Sequence, residues 1–431
     1  MKTMRKTVAV TCAAASLLAM AGCGNTGDSP AASSEKTTVS FQTWNLKNDT
    51  YTPYFENLIK EFEDANPGVT VKWLDQPAEN YDQKLSTDAA AGQLPDVVNV
   101  SETQAYNLAK AGALMNLSKE ASDMAGDYLT QVWDGSEFSG NGIDEGVYGF
   151  PWYMNIDVAY INKTVFEQCG LDVDNPPTTY DELFEQSKTL ASKCKGEKYM
   201  LAVPRILPSE FAEYGVDFLN ADRSEYIFNS DKGVEYIQHY VDMYNEGGFP
   251  KDGLNSNTIT AENLYFQGNI AYMPNSTSSV ASFKANAPDL YDDLDVAPLV
   301  TNTKNTLNPM LMAVNANTKN KEMALKLANF LTNKENQIEF SKKSNTYPSA
   351  AGAMDDEYFT SIDDSTLEGK VLKVAKEEID NGTVANFPPE VSDTDGANYM
   401  SPEIIQAIQG EQTVKEALDK AVAALNDRLG A

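Results

Sequence analysis

Histidine occurs once in these 431 residues, at His239, and cysteine four times. Cys12 and Cys23 stand in the first 23 residues, which leaves Cys169 and Cys194 for the body of the chain. So small a set excludes a conventional zinc site, and any Ser-His-Asp or Cys-His arrangement would rest on His239 alone. His239 sits in EYIQHYVDMY, a helical pattern in which packing is the ordinary role. No metal, cofactor or catalytic residue is therefore expected. Basic residues are scarce as well, 33 against 63 acidic, for a formal net charge of -30. Such a surface repels phosphate backbones and anionic headgroups, which argues against nucleic acid as a partner. Beyond residue 20 no apolar run is long enough to span a bilayer.

The first 23 residues are the exception to this polar character. Lys2, Arg5 and Lys6 precede an apolar stretch from Val8 to Met20, and Met20-Ala21-Gly22-Cys23 follows. The stretch is short for a lasting membrane helix and ends in small residues, so it reads as a secretory signal removed before Cys23. The box resembles the lipid-attachment site of bacterial lipoproteins, although Met20 stands where leucine is more usual. An acylated Cys23 would hold the chain on the outer face of the cytoplasmic membrane, followed by a polar tether to Thr38. Outside the membrane, sequence leaves Cys169 and Cys194 open either to a disulfide or to two free thiols.

Length predicts two lobes, because one hydrophobic core stops growing near ~250 to 300 residues. Val39 to Trp44 alternates like a half-buried strand. Tyr54, Phe55, Leu58, Ile59 and Phe62 then recur at helical spacing until Asn66-Pro67-Gly68, and Val69 to Leu74 reads as a second strand. Helix 81–91, strand 96–100 and helix 104–111 continue the alternation, so the chain opens as an α/β lobe with a largely parallel sheet. The apolar, aromatic stretch 148–162 is the expected passage to the second lobe. Thr179-Tyr180-Asp181-Glu182 and Thr413-Val414-Lys415-Glu416 are capping boxes that open helices.

Six segments together resemble the carbohydrate-binding branch of bacterial ABC-importer solute-binding proteins, the group that includes maltose-binding protein. They are FENLIKEFEDANPGVTVKW, GQLPDVVNVSETQAYNLAKAGALMNL, YGFPWYMNIDVAYINKTVFEQCGL with PPTTYDELFEQSKTL, YFQGNIAYMPN, MAVNANTKNKEMALKLANFLTNKENQIEF and GEQTVKEALDKAVAAL. They keep the family order across almost the whole mature chain. Glu262 to Gly268 also spells a familiar protease-recognition site, ENLYFQG, yet it falls in register with the family pattern and reads as native. The resemblance implies an α/β, two-lobed, type II periplasmic-binding-protein-like fold with a multi-strand hinge and a ligand cleft between the lobes. The expected division is signal 1–22, tether 23–38, one lobe from 39–155 and 310–347, and the other from 156–309 and 348–431. Implied partners are a sugar, most of all an oligosaccharide, and the permease subunits of an importer, with the protein itself a monomer.

A sugar needs aromatic platforms for its C–H faces and fixed polar groups for its hydroxyls. Trp44 and Asn45 end the first strand, where α/β sheets place ligands, with Trp44 as core the competing reading. Ser101 and Glu102 follow strand 96–100, where the family puts polar contacts; a solvated loop is the alternative. Trp152, Tyr153, Asn155 and Asp157 lie in the passage between lobes, and only one of the adjacent Trp152 and Tyr153 can face a cleft. Asn275 matches a family cleft asparagine, while Ser278 replaces a tryptophan of maltose-binding protein and removes a platform. Tyr347 and Tyr399 could replace it. Glu210 falls where the second lobe can reach the ligand, with Phe211 and Tyr214 beside it as ligand or core.

Two rivals stand beside this reading. An exported glycosidase would use paired carboxylates, but nothing in the spacing singles a pair out. The same fold could take a polyamine, a peptide or another small solute.

Overall fold

The structure is a computed structural model that describes residues 37–140, 142–255, 258–384 and 396–429. The signal, Cys23 and the tether up to Lys36 lie outside the described residues. Strand β1 (Thr37–Trp44) begins inside the segment read as tether: Thr37 and Thr38 pair with Val69 and Thr70 of β2 (Val69–Gln76). The helix Thr52–Ala65 joins them and buries Tyr54, Phe55, Leu58 and Phe62. It stops at Asn66, and Gly68 takes a φ of 93°, open to glycine because it has no Cβ. The helix Tyr81–Ala90 then leads to β3 (Val97–Val100), and β1 pairs in parallel with both β2 and β3.

Next come a hairpin, β4 (Glu137–Gly140) and β5 (Ile143–Val147), then β6 (Phe150–Asn155) and β7 (Asp157–Asn162). One residue, Ile156, separates β6 from β7, and at that residue the chain leaves one sheet for another. The second sheet has the order β8-β7-β9, with β8 (Tyr272–Ser276) and β9 (Leu294–Ala297) both antiparallel to β7. The chain returns in β10 (Thr306–Val314), and β11 (Tyr347–Pro348) and β12 (Thr383–Val384) complete the first sheet. Its order is β11-β6-β10-β3-β1-β2, with β12 beside β10. The sheet is thus less parallel than the opening strands predict. Strand β10 enters from the second sheet and runs antiparallel to β3 and β6.

Both faces of the first sheet are covered, which is why β3, β6 and β10 read as largely apolar runs, while β1 and β2 alternate. Phe41, Trp73, Val97, Met312 and Val314 belong to one core, and Val98, Val100, Leu311 and Ala313 to the other. In the second sheet Ala159 and Ile161 face one core, Val158 and Tyr160 the other. A further cluster of Met154, Ile156, Leu307, Tyr347, Ile379 and Val384 fills the region where the chain crosses. The capping boxes form as read: Thr179 Oγ1 accepts from the Glu182 amide, and Thr413 Oγ1 from that of Glu416. Cys169 and Cys194 are joined in a disulfide with Cα atoms 5.7 Å apart. His239 stacks on Phe184 with ring centres 4.5 Å apart, a packing role. No helix among the described residues is long and apolar enough to cross a membrane.

Candidate ligand-binding site

A cavity of about 500 Å³ opens at the edge of the second sheet. Its wall brings together three of the residues singled out by sequence, Asp157, Glu210 and Asn275. Asp157 begins β7, directly after the crossing at Ile156, and pairs with Ser276. Asn275 lies one place back on β8, its Oδ1 accepting from the Ser276 amide at 2.9 Å. Glu210 sits in the first turn of the helix Pro208–Tyr214, and its Oε2 accepts from the Leu207 amide at 2.6 Å. That bond orients the carboxylate at the helix start, where the backbone dipole favours negative charge.

Arg205 completes this wall, and the sequence reading missed it. Its Nη2 donates to Glu213 Oε2 at 2.9 Å and its Nε to the Tyr180 hydroxyl at 3.3 Å, with Glu210 Oε1 3.6 Å away. The Tyr236 hydroxyl donates to the Arg205 carbonyl at 2.6 Å. Burial pushes the Glu213 carboxyl up, opposed by the Arg205 charge. A signal was present: arginine occurs only four times, and this one lies in the apolar run Leu-Ala-Val-Pro-Arg-Ile-Leu-Pro. A cation in such surroundings needs buried partners. Tyr265 closes the cavity from the helix Thr258–Phe266, its hydroxyl donating to the Pro274 carbonyl at 3.1 Å.

A second cavity of about 420 Å³ lies where the two sheets meet. Thr277, Ser278 and Lys284 line it from beyond β8, and Tyr347, Tyr358 and Phe359 from beyond and within β11. Here Ser278 and Tyr347 do share one space, as the lost-platform argument requires. Tyr347 is buried. Tyr358 is 42% exposed. The sequence reading missed it because nothing local marks it, 80 residues from Ser278.

The first sheet holds four further candidates at the ends of β1 and β3. Trp44 is half-buried with its ring 6.4 Å from Tyr81, and its Nε1 is buried without a hydrogen-bond partner. Asn45 is exposed at a φ of 55°, and its Oδ1 accepts from the Ala78 amide at 3.1 Å. Ser101 caps the helix Glu102–Lys110: Gln104 donates its amide to Ser101 Oγ and accepts the Ser101 amide through Oε1. Glu102 is 8% exposed, its Oε1 has no hydrogen-bond partner, and burial pushes its carboxyl up to about 8. It is no solvated loop residue.

Trp152, expected as a platform, is 1% exposed and packs against Phe55, Tyr153 and Phe340. It is core, because the face of β6 that carries it lies under the helices of the first sheet. Tyr153 is also buried, 5.2 Å from the Phe340 ring. Asn155, at the end of β6, is exposed and pairs with Asn308. Tyr399 lies outside both cavities. Arg428 sits over its ring at 4.8 Å, so the tyrosine holds the C-terminal helix Val414–Leu429. Phe211 and Tyr214 are core.

Comparison with known proteins places this architecture. A putative oligosaccharide periplasmic-binding protein from Synechococcus sp. MITs9220 superposes with a TM-score of 0.79 at 23% identity, covering 91% of this chain and 99% of that one. The sugar-binding protein MalE from Xanthomonas citri gives 0.75 at 18% identity, over 91% and 98%. In sequence, a putative binding protein of Brucella abortus is 26% identical over 311 residues, 69% of this chain and 72% of its relative. The galactooligosaccharide-binding protein of Bacillus subtilis is 26% identical over 356 residues, 78% of each. Residues 48–338 match the profile of the bacterial extracellular solute-binding proteins, and the chain belongs to that family.

Proposed function

We propose that this protein captures a sugar, most of all an oligosaccharide, outside the cell and delivers it unchanged to an ABC importer. The observation that carries the reading is the cavity of about 500 Å³ beside the Ile156 crossing, where Asp157, Glu210, Asn275 and Tyr265 offer acceptors, donors and a ring within one wall. Carboxylates and amides at fixed positions match the paired hydroxyls of a sugar edge, and closure of a hinge would bring Trp44, Asn45, Ser101 and Glu102 onto its other side. Ser278 and Tyr358 would then serve further units of a chain. Relatives named for sugars support the same class. In this reading Cys23 carries the lipid that anchors a monomer to the membrane, the tether gives it reach, and closed lobes meet the permease subunits.

Thermal unfolding of the mature chain against a panel of oligosaccharides tests it. A ligand that binds only the folded state raises the melting temperature by mass action. A shift with particular glycans, lost in Asn275→Ala, is the expected result. Shifts with polyamines or peptides alone would overturn the sugar assignment, and release of smaller sugars during incubation would restore the glycosidase reading.

A further inference from the structure

Glu102 opens the helix Glu102–Lys110 directly beyond β3 and shares that helix's buried face with Ala105, Tyr106, Leu108 and Ala109. Those four residues belong to the core cluster of Tyr81, Val98 and Val100, against which Trp44 packs. The carboxyl thus emerges from an apolar core at the end of a strand. Its Oε1 is sealed from water without a hydrogen-bond partner, and so is Trp44 Nε1 at the end of the neighbouring strand β1. Charges on the elements packed against the helix are engaged elsewhere. On Tyr81–Ala90, Asp82 accepts from Gln104 Nε2, Lys84 pairs with Asp88, and the Tyr81 hydroxyl donates to the Asn99 carbonyl at 2.9 Å. Strands β3 and β10 carry no ionisable side chain, and Lys110 is exposed at the far end of the helix. An ionised Glu102 would therefore lack a counter-charge. The start of a helix favours negative charge by about 0.3 to 1 kcal/mol. Sealing a charge from water without a partner costs several times that, so the neutral acid wins. Burial accordingly pushes the carboxyl up to about 8, with no charged neighbour adding to the rise or opposing it.

We propose that Glu102 meets the sugar as a neutral carboxylic acid, its proton donated to a sugar oxygen, so that capture weakens as the medium turns alkaline. The inference rests on the sugar-binding reading above and adds its pH dependence. A protonated carboxyl offers a donor beside an acceptor, a match for a hydroxyl, whereas the ionised group only accepts. Closure of the lobes over a sugar would strip water from the exposure that remains, which penalises the ionised form further. With only the neutral form competent, affinity follows the neutral fraction. That fraction is near one at pH 6 and about one tenth at pH 9.

Calorimetric titration of the mature chain at pH 6 and pH 9 tests the proposal with maltotetraose, cellotetraose, galactotetraose and chitotetraose. Circular dichroism at each pH checks that the chain stays folded. The expected result is a tetrasaccharide bound at pH 6 and held about tenfold more weakly at pH 9. Glu102→Gln, which keeps a donor and cannot ionise, should bind it equally at the two values. In buffers of differing ionisation enthalpy, binding near pH 9 should take up a proton in the native chain and none in the variant. An affinity that does not change with pH, or a decline that persists in Glu102→Gln, overturns the role of Glu102 and leaves the sugar-binding reading intact. Failure of all four glycans at both pH values overturns that reading, and this inference with it.

Discussion

The first sheet buries its large aromatic side chains under helices, with Phe41, Phe55, Trp73, Trp152 and Phe340 in one core. At the edge of the second sheet, Asp157, Arg205, Glu210, Asn275 and Tyr265 surround open space instead. Residues of similar promise in sequence thus end in opposite roles. Both sheets are covered on both faces, so the difference follows from position along the strands. A strand sandwiched on both sides has no free face for a ligand, so its ring-rich segment becomes core, whereas strand ends and a short helix start leave polar groups around a gap. The proposed recognition therefore falls at the margins of the sheets, and stability in their middles.

Four substitutions would break or sharpen that contrast. Trp152→Ala should cost the most, about 3 to 5 kcal/mol of stability, as removal of a buried aromatic does. Denaturant unfolding would register it, and an unchanged midpoint would place Trp152 with the recognition residues after all. Next is Glu102. Its carboxyl is raised to about 8, well above the ordinary carboxylate range, so the folded state holds the proton more tightly than the unfolded chain. The stability linked to that proton is fully present near pH 4 and is lost as pH rises through about 8. Glu378, raised to about 7 by burial and bonded to the Leu299 amide and to Asn305, adds a parallel loss below that range. Glu102→Gln should flatten the decline between about pH 5 and 8 by on the order of a few kcal/mol, read from melting temperatures.

Asn275→Ala is expected to leave stability within about 1 kcal/mol, since the side chain is part-exposed and its one bond is to its neighbour's amide. It should weaken sugar binding about tenfold, close to 1.4 kcal/mol, by titration. The smallest change should come from Tyr399→Ala. Loss of a contact with Arg428 costs about 0.5 to 1 kcal/mol and leaves affinity unaltered.

Much of the fold was legible because local signals agreed with one another. Asn66-Pro67-Gly68 ends a helix whose apolar period matches its buried face, and Thr179 with Glu182 marks a start that the structure keeps to the residue. The proposed site was legible only where a strand end or helix start announced a residue of the cavity wall, as at Asp157, Glu210 and Asn275. Arg205 depends on Tyr180, Glu213 and Tyr236, which no short window contains. The choice between Trp152 and a cleft platform depended on which face of β6 the helix Lys334–Ser344 covers, a long-range fact. ENLYFQG illustrates the same point. As a string it is a cleavage site, but in the fold Tyr265 is buried and the segment is largely helical, so the native chain should resist the protease that cuts its unfolded form.

The most direct measurement is a crystal structure of the mature chain with the sugar that raises its melting temperature most. The account predicts density in the cavity of Asp157, Glu210 and Asn275, with Trp44 or Glu102 reaching the same molecule from the first sheet. A sugar held only beside Ser278 and Tyr358, with the Asp157 cavity filled by solvent, would contradict it.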